Sequence, residues 1–136
     1  MSDTKHLEIG VPQGLCLGPL LFSIYVNDMY MSVPNAIAIL FADDTTILNK
    51  APTYDELWSA IFASLTRLDH WLRANLLTIN LDKTKIMLFN RKKTHNKPLF
   101  FIFRNIVIEQ IGQGFEDKAF KFLGFLIDER MKLIIT

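Results

Sequence analysis

Cysteine is nearly absent from this sequence: Cys16 is the only one in 136 residues. That excludes a disulfide framework and a multi-cysteine zinc site, and it fits a reducing, intracellular compartment. Histidine is scarce too. His6, His70 and His95 are scattered and form no metal-ligand spacing. The N-terminus, Met-Ser-Asp-Thr-Lys-His, lacks the apolar core of a signal peptide. Residues 10–27 carry no charge, but Pro12, Gln13, Gly14, Gly18 and Pro19 interrupt them, which argues against a membrane span. No internal repeat and no low-complexity tract occur. The net charge of +1 implies no global attraction to nucleic acid or to a membrane.

Apolar residues, by contrast, are abundant. They make up half the chain, with eleven Phe. The length suits one small domain or part of a larger one. So much apolar material in so short a chain suggests surface intended for neighbours it lacks. Charge is unevenly placed. Residues 1–44 hold Asp3, Glu8, Asp28, Asp43 and Asp44 against Lys5 alone. Residues 83–97 hold Lys83, Lys85, Arg91, Lys92, Lys93 and Lys97 with no acid. An acidic first third before a basic run suits a metal site beside an anion-binding surface. A solvated lysine-rich loop explains the run equally well.

Asp43 and Asp44 are adjacent, between the apolar runs 36–42 and 45–48. The pattern predicts strand, tight turn, strand, with both carboxylates at the turn. A hard cation such as Mg²⁺ takes oxygen ligands and often uses one or two carboxylates plus substrate phosphates. Asp is also common in turns for its local hydrogen bonding, so the pair alone does not choose between the two.

Along the chain, Leu7, Ile9 and Val11 alternate like a short strand, and Gly10 to Gly14 break it. Pro19 fits the first position of a helix, with near-helical spacing to about Tyr30. Residues 36–49 read as a hairpin. Thr53 and Glu56 have capping-box spacing. Leu57, Ile61, Leu65, Leu68 and Leu72 then form an apolar stripe to about Asn75, widened by Trp58, Phe62 and Trp71 as core aromatics. Lys85–Phe89 reads as a strand, 99–103 and 106–111 as a hairpin around Arg104-Asn105, and 120–127 as a strand. Asp128 to Arg130 reads as a turn, and a final strand covers 132–135. Hairpins mixed with long helices predict an α+β fold: an antiparallel sheet with helices on one face.

The order of motifs resembles the reverse transcriptases. Gly10-Val11-Pro12-Gln13-Gly14 is similar to their Gly-Val-Pro-Gln-Gly segment, and Phe41-Ala42-Asp43-Asp44 to their metal-binding aspartate hairpin. Asn80-Leu81-Asp82-Lys83-Thr84 resembles the lysine motif that follows. Phe120-Lys121-Phe122-Leu123-Gly124 with Ile127-Asp128 resembles the primer grip. The spelling is nearest to enzymes of non-LTR retrotransposons, the jockey-like group in particular, over about Leu7 to Leu133.

The resemblance implies a partial right-hand polymerase palm over 1–94 and hairpins leading to the thumb over 95–136. It implies an RNA-directed DNA polymerase that extends a DNA primer on an RNA template from deoxynucleoside triphosphates, with Mg²⁺, or Mn²⁺ in its place. Asp43 and Asp44 map to metal ligands and catalytic residues, and Lys83 to a group near the leaving pyrophosphate. Gln13, Gly14 and Phe41 map to nucleotide or template contacts, and Phe122, Leu123 and Gly124 to the primer grip. A nuclear location is implied, with no membrane partner.

The chain also departs from the family pattern. Relatives carry a further metal-binding aspartate on a strand well upstream of the glycine-rich segment. Asp3 and Glu8 lie too close to that segment to replace it, and Asp28 falls on the intervening helix. Leu15 stands where many relatives have a small hydroxyl residue. The expectation is a chain nearly inert alone, since loss of one such carboxylate costs orders of magnitude in rate. The missing upstream part of the polymerase becomes an expected partner. A non-catalytic remnant and a nucleic-acid-binding module are the alternatives.

Overall fold

The computed structural model describes residues 16–89, 101–111, 119–122, 125–128 and 133–134. The chain forms two compact units, 1–78 and 79–136.

In the first unit, helix α1 spans Gly18–Tyr25, with Pro19 in its first turn, where the missing N–H costs nothing. The spacing predicted helix to Tyr30, but α1 stops five residues earlier. Val26, Asn27 and Asp28 are weak helix formers, and the backbone shifts there to tighter bonds. Asn27 N–H reaches Ile24 C=O at 3.3 Å, and Met29 N–H reaches Val26 C=O at 3.1 Å. A 3₁₀ turn follows over Met29–Ser32. Pro34 then forces Val33 out of helical geometry, to φ −122 and ψ 61.

Strands β1 (Ile37–Phe41) and β2 (Asp44–Leu48) pair antiparallel as a hairpin. Helix α2 covers Tyr54–Ala74. Thr53 is extended at its N-cap, and its Oγ1 accepts the Glu56 N–H at 3.4 Å, as the capping-box spacing implied. Asp55 and Glu56 in the first turn and Arg73 in the last complement the helix dipole.

At the far end of α2, Leu77 N–H bonds Leu72 C=O at 2.8 Å and Leu76 N–H bonds Arg73 C=O at 3.1 Å. Leu76 is left-handed, at φ 54. This is a Schellman closure with Leu where Gly is usual. The Tyr25 hydroxyl donates to the Asn75 carbonyl and ties α1 to that terminus. Among the described residues of this unit, the buried apolar ones are Val26, Met29, Val33 and Leu68. Phe62, expected in the core, is half exposed at 52%.

The second unit opens on a turn organised by Asn80. Its Oδ1 accepts the Lys83 N–H at 3.2 Å, and its carbonyl accepts the Thr84 hydroxyl at 2.7 Å. Strands β3 (Lys85–Met87), β4 (Phe101–Phe103) and β5 (Ile106–Ile111) form a sheet in the order β3-β5-β4. Arg104 and Asn105 both have positive φ, 52 and 63, the mark of a two-residue type I′ turn. Phe101, Phe103, Ile108 and Ile111 are buried. The β3–β5 pair is parallel, a departure from the all-antiparallel expectation.

A second sheet joins β6 (Ala119–Phe122), β7 (Phe125–Asp128) and β8 (Leu133–Ile134), antiparallel throughout. The single strand expected over 120–127 is therefore two, with Phe122 opposite Phe125. Asp128 ends β7 and is not a turn residue. Helices with antiparallel and mixed sheets agree with a partial polymerase palm.

Candidate active site

The site candidate is the tip of the β1–β2 hairpin. Phe41 pairs with Asp44, so Ala42 and Asp43 alone make the turn. Of the two, Ala42 has positive φ, at 50, which fits a type II′ pattern. Gly is favoured at that position, so Ala accepts backbone strain to hold the tip. The turn is tight because the strands pair up to its last residues. Strand alternation exposes Ile37, Ile39 and Phe41 on one face and half-buries Ala38 and Leu40 on the other. The Phe41 ring is 60% exposed, directly before the turn.

Asp43 and Asp44 are both exposed. Among the described residues, none forms a hydrogen bond or ion pair with either carboxylate. The hairpin thus presents to solvent two adjacent carboxylates that no described residue engages. That donor set fits a hard divalent cation with part of its shell left for phosphate or water. Among the described residues no group of three or more potential ligands forms, so Asp28 does not join the pair. Asp28 lies between α1 and the 3₁₀ turn, exposed, and is not on a helix as its spacing suggested.

Behind the tip lies a cleft of ≈ 130 Å³. Phe22, Val26, Met29, Leu40, Leu72 and Leu77 give it apolar walls, and Ala42, Asp43, Thr45 and Thr78 complete it. The base of the hairpin is tied elsewhere. Ala36 N–H bonds the carbonyl of buried Val33 at 3.0 Å. The Ser64 hydroxyl on α2 donates to Asn49 Oδ1 at 2.8 Å. The sequence reading missed this tie and the Ala42 turn geometry. The signal for the tie was a Ser inside the apolar stripe of α2.

Of the remaining predicted residues, Lys83 belongs to the second unit and is exposed, its backbone fixed by Asn80. Phe122 ends β6. Gln13, Gly14, Leu123 and Gly124 lie outside the described residues, as do Arg91, Lys92, Lys93 and Lys97 of the basic run. Among the described residues, no helix is long and apolar enough to cross a membrane.

Residues 3–127 match the family model described as "Reverse transcriptase (RNA-dependent DNA polymerase)". The chain is 28% identical over 137 residues to the "Probable RNA-directed DNA polymerase from transposon BS" of Drosophila melanogaster, covering 96% of this chain and 14% of that protein. It is 26% identical over 137 residues, with the same coverage, to the "RNA-directed DNA polymerase from mobile element jockey" of that species. The jockey polymerase of Drosophila funebris is 33% identical over 93 residues, 60% of this chain and 10% of that protein. The chain therefore spans about one-seventh of the length of the first two relatives. No solved structure matches it.

Proposed function

This chain belongs to the reverse transcriptase family, and from that membership we propose that it carries the metal-binding half of an RNA-directed DNA polymerase site. The observation behind this reading is the pair of exposed carboxylates at the tip of the β1–β2 hairpin, Asp43 in its turn and Asp44 at the start of β2, that no described residue engages. Asp43 and Asp44 would hold Mg²⁺, or Mn²⁺ in its place. A bound cation of this kind lowers the cost of forming a 3′-alkoxide and of releasing pyrophosphate. The protein's own contribution is position, because phosphoryl transfer depends mainly on alignment and charge neutralisation.

In this reading Asp43 is the principal ligand and Asp44 its neighbour. Phe41 offers an exposed apolar ring beside them for a base or sugar, with Gln13 and Gly14 completing the nucleotide and template contacts. Lys83 supplies a point charge and a titratable proton for the leaving pyrophosphate. Phe122, Leu123 and Gly124 form the primer grip. The palm motifs occupy 1–94 and the hairpins toward the thumb 95–136. RNA template, DNA primer and deoxynucleoside triphosphates are the proposed partners, and the nucleus the proposed location.

In this reading the 136 residues supply two of the family's three metal-binding carboxylates, so they are expected to be nearly inert by themselves. Primer extension on an RNA template, with Mg²⁺ or Mn²⁺, tests the reading. The chain alone is expected to give no product. Joined to an upstream palm segment that carries the further aspartate, it is expected to extend the primer. Asp43→Asn in that joined polymerase should cut the rate by a factor on the order of 10³ or more. A joined polymerase that keeps its rate after Asp43→Asn would refute the assignment.

A further inference from the structure

The tip of the hairpin and its base are held in different ways. At the tip, Leu40, Ala42, Asp43 and Thr45 border a cleft rather than a packed wall. Nothing described grips the carboxylates themselves. A two-stranded hairpin is marginal on its own, so the stance of this one is set where it is tied. One tie is the Ala36–Val33 backbone bond. The other is the Ser64–Asn49 hydrogen bond, between side chains of different elements.

Ser64 is unusual for its position. It is 7% exposed on the core side of α2, one turn before buried Leu68. A buried hydroxyl there is costly unless it is hydrogen-bonded. It donates to Asn49, the residue directly after β2. Asn49 is five residues from Asp44, a span of about 17 Å at strand rise. A small change of angle at Asn49 therefore becomes a displacement of ångström size at the carboxylates, and metal ligation tolerates only a few tenths of an ångström.

We propose that Ser64 and Asn49 are positioning residues: their hydrogen bond sets the stance of the Asp43–Asp44 tip and through it the affinity of the pair for a divalent cation. The inference rests on the reading of Asp43 and Asp44 as metal ligands. It adds a residue on α2, twenty positions from the carboxylates, to the determinants of that affinity.

The test is Mn²⁺ binding to the full 136-residue chain, with free Mn²⁺ followed by electron paramagnetic resonance. Ser64→Ala and Asn49→Ala should each raise the Kd about five- to tenfold. The double variant should be no weaker than either single one, because both remove the same bond. Ser64→Thr keeps the hydroxyl and should stay within about twofold of the parent. Thr53→Ala lowers the stability of α2 without touching the tie, so its Kd should equal the parent's.

Should Ser64→Ala fail to fold, Asn49→Ala at its half-buried site decides alone. A Kd for either variant no different from that of Thr53→Ala overturns the proposal. Asp43→Asn separates the two readings. If it leaves Mn²⁺ binding intact, or if the parent binds none, the metal assignment falls and the latch with it. If it abolishes binding while Ser64→Ala does nothing, the latch alone falls.

Discussion

Among the described residues, four that are not glycine take positive φ: Ala42, Leu76, Arg104 and Asn105. Two were legible in the sequence and two were not, for a local reason. Asn tolerates the left-handed region, so Arg104-Asn105 between apolar runs announces a turn. Ala and Leu carry no such signal, and their geometry is imposed by pairing and helix closure around them. Leu76 shows the consequence. It is 76% exposed and left-handed, so it contributes little burial and bears the cost of its Cβ. Leu76→Gly should therefore raise unfolding stability by about 1 kcal/mol, net of the extra entropy of a glycine in the unfolded chain. Urea unfolding followed by circular dichroism checks it, and a loss of stability would show that the side chain packs in a way its exposure conceals. The carboxylates belong to the same scale: Asp43 and Asp44 were readable because they are two adjacent acids set between apolar runs.

At the scale of elements, α2 was legible almost end to end. Its stripe repeats at helical spacing and its start carries a Thr–Glu cap, two independent signals. The cap makes a separate prediction. Thr53→Ala removes the acceptor for Glu56 N–H and should cost about 0.5–1 kcal/mol, the lower end being favoured by the 3.4 Å bond. Thermal melts at 222 nm measure it, and an unchanged midpoint would mean Glu56 finds water equally well. Other elements were less readable. Over residues 120–127 a nearly unbroken apolar run does not distinguish one strand from two, because periodicity is blind to a reversal within it. The parallel β3–β5 pair joins segments some twenty residues apart, and no local pattern encodes that choice. Phe62 lies at the edge of the stripe, where a small rotation decides between core and surface.

At the scale of the whole molecule, acids and bases separate along the chain, and the proposed binding of nucleic acid is testable through that separation. Six bases fall in residues 83–97. Lys85 is engaged by Glu109 at 3.0 Å across the β3–β5 pair, so the prediction is made for the other five, Lys83, Arg91, Lys92, Lys93 and Lys97. If all five neutralise phosphates, the logarithm of duplex affinity falls with the logarithm of salt at a slope of about −4.5. Lys92→Gln with Lys93→Gln should flatten that slope by about 2. Asp43→Asn should leave it unchanged in the absence of divalent metal, because the carboxylate repels phosphate weakly and ligates nothing there. Fluorescence anisotropy of a labelled primer–template over roughly 50–300 mM salt gives all three values. A slope shallower than about −1 would mean the basic run does not face the backbone. A slope that changes with Asp43→Asn would place the hairpin tip within reach of phosphate before any cation is bound. The two proposals are thus separable by experiment: the salt slope reads the basic run as the source of duplex affinity, and the response to Asp43→Asn reads the hairpin tip as the metal site.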